Sequence, residues 1–247
     1  MELNTYPLVC TRGVVLYPNQ EIVIDVGRDT SVHAVENAQD NYDKKICLFS
    51  QKELEQENPG KEDIYPVGTL CEVRHIRRFD NFLRVKFRGI KRVKLNNWIN
   101  GSLSDLAEVE ILESEKQDAV EEEALIRMIA DELDRMQGQD RFVTKEIVME
   151  ISKGMGGEFL SDKAVQGLPL DIERKQQYLE TLGVNDRLMM LLQDMAKEKK
   201  MSEVEQQINE TVKERIDQGQ KDYYLREKMN VIREELGDTV AQDEDAA

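Results

Sequence analysis

Residues 186–236 read DRLMMLLQDMAKEKKMSEVEQQINETVKERIDQGQKDYYLREKMNVIREEL, and no proline interrupts them. Asp186 suits an N-cap, and Gly237 stands where a helix-ending glycine belongs. Leu188, Leu192 and Met195 open an apolar stripe. Met201, Val204, Ile208, Val212, Ile216 and Tyr223 continue it, and Leu225, Met229, Ile232 and Leu236 close it. Steps of three and four mark one face of a helix. A single helix over this stretch would be about 75 Å long at 1.5 Å per residue. The residues before it, folded as one body, would be roughly 40 Å across. Such a helix overhangs as a stalk or buries its stripe against another chain.

The stripe narrows between Met201 and Tyr223 to about one apolar residue per turn, framed by Glu, Lys, Gln and Asn. Met201, Val212 and Tyr223 are eleven residues apart, which suits a nearly straight helix better than a tight left-handed heptad coil. Two readings stand: a helix packed at one end and solvated elsewhere, or a stem that joins modules or seams subunits. Gly219 costs about 1 kcal/mol inside a helix and is a candidate bend.

The chain has 247 residues, enough for one large domain or two small ones. Its net charge of −16 is uneven. Residues 1–113 carry 15 Lys and Arg against 18 Asp and Glu, a net of −3, and the remainder nets −13. The acidic half would repel nucleic acid and anionic membranes. Cys10, Cys47 and Cys71 are odd in number, far apart and set among apolar residues. That pattern predicts buried free thiols in a reducing cytoplasm rather than disulfides or a zinc site. The N-terminus lacks a basic start and an apolar run, so no signal peptide is expected. The apolar cluster Leu188–Leu192 is far too short to span a bilayer.

Residues 1–113 read as a β domain with one helix. Pro7–Thr11, Glu21–Val26, Ile46–Gln51 and Val67–Ile76 are short and β-branched. Asp29 or Thr30 can cap a helix to about Asn41, with Val32, Val35 and Ala38 facing inward. Asp80-Asn81 joins two runs as a hairpin. Leu83, Val85 and Phe87 alternate with Arg84, Lys86 and Arg88, a half-buried strand. Val93–Trp98 and Ala107–Leu112 add two more. So many strands in so short a span predict a closed or rolled-up sheet. Residues 113–117 are a polar boundary. Residues 118–185 then read as a helical bundle, 186–237 as the long helix packed on it at its base, and 238–247 as a disordered tail. Asp118 with Glu121 starts one helix, carrying Val120, Ala124, Leu125, Ile129, Leu133 and Met136, and Gly138 stops it. Thr144 starts a second, Gly156–Val165 forms a weak third, and Asp171 caps a fourth to Leu182.

Catalytic constellations are scarce. There is no phosphate-binding G-x-x-x-x-G-K-[ST], no Gly-x-Ser-x-Gly elbow, and His33 and His75 fit no triad or metal pattern. The carboxylates sit on helix faces with lysine or arginine four residues on, as in Asp217/Lys221. Arg74 to Lys94 stands out with nine basic residues and Asp80 as its only acid. Interleaved with Phe79, Phe82 and Phe87, it could be a freestanding single-strand nucleic-acid module. It could equally be the wet face of a sheet turned toward the acidic bundle. The module's net charge favours the wet face and makes nucleic acid an unlikely partner of this region. A structural coiled-coil adaptor is a further alternative for the chain.

The order of short motifs resembles a known family. Pro7-Leu8-Val9, then Arg12-Gly13-Val14-Val15-Leu16-Tyr17-Pro18, Asp25-Val26-Gly27-Arg28-Asp29 and Ser31-Val32-His33-Ala34-Val35-Glu36 are similar to the start of the ATP-dependent protease Lon. Val67-Gly68-Thr69, Gly89-Ile90-Lys91-Arg92, Leu168-Pro169-Leu170 and Lys175-Gln176 follow in that family's order. Tyr223-Tyr224-Leu225-Arg226-Glu227-Lys228-Met229 and Glu234-Glu235-Leu236-Gly237-Asp238 resemble the segment ahead of its ATPase module. Cys10-Thr11 and Gly167 depart from the pattern. The Walker motifs and the Ser–Lys dyad have no counterpart, so no catalytic residue is expected here, and ATP and Mg would belong to a missing ATPase domain.

The resemblance implies an α+β fold: an N-terminal PUA-like β-barrel or roll with one helix, a small helical bundle and one long protruding helix. It implies a region that captures unfolded, damaged or degron-bearing proteins and helps a homohexamer assemble, for delivery to an AAA+ ATPase and serine protease ring. No membrane partner is implied. Capture of varied sequences needs adaptable apolar surface. The candidates are Leu16, Tyr17 and Pro18 in the first loop, Phe79 and Phe82 at the hairpin, and Met155 in the glycine loop.

Overall fold

The computed structural model describes residues 4–136 and 145–235. They form two compact units, one ending at Asp194 and the other beginning at Met195. The first opens with β1 (Asn4–Thr11), β2 (Glu21–Val26), α1 (Asp29–Asn41) and β3 (Lys45–Ser50). β4 (Val67–Arg78), β5 (Leu83–Ile99) and β6 (Leu106–Leu112) complete its strands. The helices α2 (Ala119–Met136), α3 (Lys145–Ser152), α4 (Gly157–Gly167) and α5 (Ile172–Glu180) follow, then α6 (Val184–Glu235).

Five strands close on themselves in the order β5-β4-β3-β1-β6 and back to β5, and β2 is added outside the ring. β5 makes the closure possible. The expected pair of strands over this stretch is one long strand, because both halves find partners: its first half takes β2 and its second half takes β6 on the same edge. β4 runs along its other edge, with register shifts at Leu70/Cys71 and Val73/His75 that bend the hairpin. β1 pairs parallel with β3 through Leu8–Thr11 and antiparallel with β6 through Asn4–Pro7.

Alternation along the strands builds two cores. Leu8, Cys47, Phe49, Leu70, Val93 and Val109 share one cluster. Val9, Ile46, Leu48, Val73 and Val85 pack with Ala34, Val35 and Ala38 of α1 in the other. β3 is therefore covered on both faces, which is why its sequence is a continuous apolar run rather than an alternating one. Cys47 and Cys71 are buried free thiols and Cys10 is half-buried. Burial pushes the Cys10 thiol up to about 12, so it stays protonated and unreactive.

In the helical layer, Asp118 and Asp171 cap as expected, accepting from the Glu121 and Arg174 backbone N–H at 2.8 and 2.7 Å. Other boundaries differ. α5 ends at Glu180, and α6 begins at Val184, so Asp186 lies in the first turn rather than at the N-cap. There its negative charge still complements the helix dipole, and its carboxylate accepts from Gln117 Nε2 at 2.9 Å. Gly183 allows that fold-back: a Cβ there would lie 2.2 Å from the Asp186 carboxylate. On α2, Leu125, Ile129 and Leu133 are buried, whereas Val120 and Ala124 are exposed because their i, i+4 row lies one step round the helix. The expected stops and starts at Gly138, Thr144 and Gly237, and the tail, lie outside the described residues.

α6 is one unbroken helix of 52 residues, through Gly219. Val184, Leu188 and Leu191 are buried, Leu191 rather than Leu192 taking the innermost place. From Met201 to Ile232 the stripe is exposed among the described residues.

Candidate functional site

The β4–β5 hairpin turns at Asp80-Asn81, and the Phe79 N–H donates to the Phe82 carbonyl at 2.9 Å. That closure sets the two flanking aromatic rings side by side, stacked with centroids 4.7 Å apart and planes 12° apart. The Arg77 guanidinium lies 5.1 Å from the Phe79 ring centroid, and that of Arg84 lies 5.3 and 5.7 Å from the two rings. Both phenylalanines are half-buried. The tip is a small, held apolar platform with a cationic edge, able to take an apolar or aromatic side chain.

The first-loop candidates are placed differently. Leu16, Tyr17 and Pro18 are buried, not exposed. After β1 the chain crosses the sheet: Val14 and Leu16 carbonyls accept from Ser50 Oγ at 2.6 Å and Thr69 Oγ1 at 2.5 Å. At Gly89 a Cβ would lie 2.1 Å from the Tyr17 carbonyl, so the crossing demands glycine. The Tyr17 hydroxyl then donates to the Lys175 carbonyl at 2.7 Å, tying strand layer to helical layer. A glycine inside an alternating strand is the sequence mark of such an approach. Met155 is half-buried in the α3–α4 connection, after Gly154 at φ +89°. It belongs to the helical layer, apart in sequence from the hairpin pair.

Much of the basic run is paired with the protein's own carboxylates. Arg84 makes a two-pronged pair with Asp25 at 2.7 Å, and Lys86 reaches Glu21 at 2.6 Å. Arg74 pairs with Glu72, Arg78 with Glu36 and Lys91 with Glu113. The hydrogen bonds from Arg84 and Lys86 hold the Asp25 and Glu21 carboxyls below their usual range. These partners lie on β2, α1, β4 and just past β6, not on the helical bundle.

Arg92 is buried and grips Asp162 of α4 with Nη1 and Nη2 at 3.0 and 2.5 Å, while its Nε donates to the Leu179 carbonyl at 3.1 Å. Burial raises the Asp162 carboxyl despite that partner. Gln176 Nε2 donates to the Val67 carbonyl at 2.7 Å. Arg187 bonds to the Thr181 carbonyl and Ser114 Oγ, and burial with the Arg92 charge lowers it to about 10. These buried polar contacts fix the helical layer on the barrel. They were invisible in the sequence, because Arg92 has the same alternating context as its exposed neighbours.

A concavity of about 310 Å³ is walled by Val9, Cys10, Thr11 and Arg12 of β1 and its end, and by Ile24, Asp25, Val26, Gly27 and Arg28. Arg28 donates to the Cys10 carbonyl at 3.4 Å and to Gln51 Oε1 at 2.6 Å. Among the described residues no group of three or more His, Cys, Asp or Glu is placed to hold a metal. No described helix is long and apolar enough to cross a membrane.

A closed barrel carrying one helix is locked to a helical layer through Tyr17, Arg92 and Gln176, and the long helix α6 follows. Residues 5–197 match the family described as the ATP-dependent protease La (LON) substrate-binding domain, and the chain belongs to that family. It is 33% identical over 233 residues to Lon protease of Brevibacillus choshinensis, covering 94% of this chain and 30% of that protein. Lon protease of Escherichia coli is 32% identical over 233 residues, with the same coverage. The chain thus spans about 30% of the length of the curated relatives it matches. In fold it is similar to the N-terminal domain of a Mycobacterium avium complex Lon protease, with a TM-score of 0.64 at 18% identity over 78% of this chain and 98% of that one. An N-terminal domain of Lon from Xanthomonas campestris gives 0.54 at 16% identity, over 76% and 97%.

Proposed function

We propose that this chain is the substrate-recognition and assembly region of an ATP-dependent protease. It captures unfolded, damaged or degron-bearing proteins and passes them to an AAA+ ATPase and serine protease ring of six subunits. ATP and Mg are used in that other portion, and the buried thiols suit a cytoplasmic setting. The observation that carries the reading is the substrate-binding-domain match over residues 5–197 on a chain whose hairpin offers the Phe79/Phe82 platform. Such a platform accepts many sequences because dispersion with apolar side chains is not directional. Met155, on a flexible thioether beside two glycines, is a second adaptable contact. Leu16, Tyr17 and Pro18 are buried and serve by holding the strand and helical layers together.

The test is fluorescence anisotropy of a reduced, carboxymethylated protein titrated with this chain in the absence of ATP. Weak saturable binding is expected, reduced about five- to tenfold by Phe79→Ala with Phe82→Ala. Absence of binding to the unmodified chain overturns the reading.

A further inference from the structure

β2 is the loose end of the sheet. It pairs with β5 from Glu21 to Val26, and no other described strand pairs with it. In an antiparallel pair, alternate residues turn their backbone groups toward the partner. The Gly89 N–H donates to the Gln20 carbonyl at 2.9 Å, and the Glu21–Arg88 register continues from there without a shift. Residues 22, 24 and 26 therefore face β5, and the N–H and C=O of Val23 and Asp25 face away from it. Natural proteins usually block such an edge with an inward charge, a proline or a bulge. Here the acids of β2 are drawn onto the wet face of β5 by Arg84 and Lys86, and Val23 is 56% exposed.

The 310 Å³ cleft lies beside this strand end. Its other wall is the part of β1 beyond Leu8, where the pairing with β6 has ended: the Leu8 N–H donates to the Asp105 carbonyl, and the Cys10 carbonyl accepts from the Arg28 side chain at 3.4 Å. The floor is apolar, with Val9, Ile24 and Val26. Arg12 and Arg28 stand on the rim, together with Asp25, whose carboxylate is already held by Arg84. Arg12 and Arg28 both donate to the Gln56 carbonyl, and neither has a carboxylate within ion-pair distance among the described residues. Burial and the neighbouring Arg12 charge lower Arg28, a cost that an incoming anion would relieve.

We propose that an extended segment of a client polypeptide binds here by strand addition along the free edge of β2. Its backbone pairs with Val23 and Asp25. Apolar side chains at alternate positions enter the cleft over Val9, Ile24 and Val26, and an acidic residue at one end meets Arg12 and Arg28. A row of alternating donors and acceptors is complemented in full only by another extended backbone, which makes the mode tolerant of sequence, as a client-binding site must be. This rests on the substrate-recognition reading and adds a location and a mode to it.

The probe is a fluorescein-labelled nonapeptide of alternating valine and threonine ending in two glutamates, titrated into the full chain. N-methylation of the peptide at alternate residues in one parity should weaken binding about tenfold, and in the other parity should leave it nearly unchanged. Val23→Pro removes an N–H that the ladder does not use and should weaken binding similarly while circular dichroism is kept. Amide hydrogen exchange should slow at Val23 and Asp25 on peptide addition. Equal binding of both N-methylated peptides, or new protection at Phe79–Phe82 instead of β2, overturns strand addition. If the carboxymethylated protein still binds in that case, the substrate-recognition reading stands without this mode; if neither binds, both fall.

Discussion

Within α6, two stretches with the same kind of apolar stripe behave oppositely. Val184, Leu188 and Leu191 are at most 2% exposed, while Ile208, Val212 and Ile216 are about half exposed. Both carry apolar residues at steps of three and four, and both are helical. The first is part of the compact unit ending at Asp194, where Asp194 also accepts from Tyr178 Oη and Arg174 Nε at 2.7 Å. The second is held by local geometry and i, i+4 contacts such as Gln206 to Glu210 at 3.2 Å. Periodicity reports that a face exists; it does not report that the face is covered. One half of this helix is stabilised by packing, and the other by propensity and charge patterning, which contribute only tenths of a kcal/mol per pair.

The comparison is sharpest where the compact unit buries charge. Arg92→Ala leaves the Asp162 carboxylate buried and unpaired, and should cost about 3–5 kcal/mol in urea unfolding of the unit. Arg92→Met with Asp162→Asn removes the stranded charge and should recover most of that loss. A cost below about 1 kcal/mol for the single change would mean that water reaches Asp162 and that the layers are not locked there.

Truncation within α6 tests the contrast directly. Leu188→Ala should destabilise by about 2–5 kcal/mol. Ile208→Ala should stay within about 0.5 kcal/mol, as exposed positions do. Equal costs in the two unfolding curves would break the comparison, and would show that Met201–Ile232 is covered by another copy in solution.

The smallest effect concerns the exposed Arg84–Asp25 pair, the counterpart of the buried Arg92–Asp162 pair on the same strand. Arg84 holds the Asp25 carboxyl below its ordinary 3.8. A depressed carboxylate stabilises the fold above its unfolded value and loses that contribution as pH falls through the folded one. Amide exchange along β2 should therefore quicken modestly only below about pH 4, and the step should vanish in Asp25→Asn. A step of the same size in that variant assigns the change to another group.

Much of this was legible in the sequence. The strands, the single barrel helix, the caps at Asp118 and Asp171, and the long final helix all follow from patterns a few residues wide. The hairpin turn at Asp80-Asn81 was readable for the same reason, and with it the adjacency of Phe79 and Phe82. The inward faces of α1 and of Leu83, Val85 and Phe87 were also readable, but contacts between distant segments were not. Leu16, Tyr17 and Pro18 look like an exposed loop because nothing local reveals that the loop runs across Thr69 and Gly89. Arg92 looks like Arg84, because each is a basic residue in a basic strand, and only the arrival of Asp162, seventy residues on, separates them.

The sequence alone determined the elements and their family order, since backbone geometry, capping and hydrophobic period act between near neighbours. Tertiary structure decided the closure of the ring through both halves of β5, the free edge of β2, the burial of Tyr17 and Arg92, and the divided fate of α6. Those depend on contacts between residues far apart in the chain, where the gain from burial and the cost of desolvation are set by the partner and not by the residue itself.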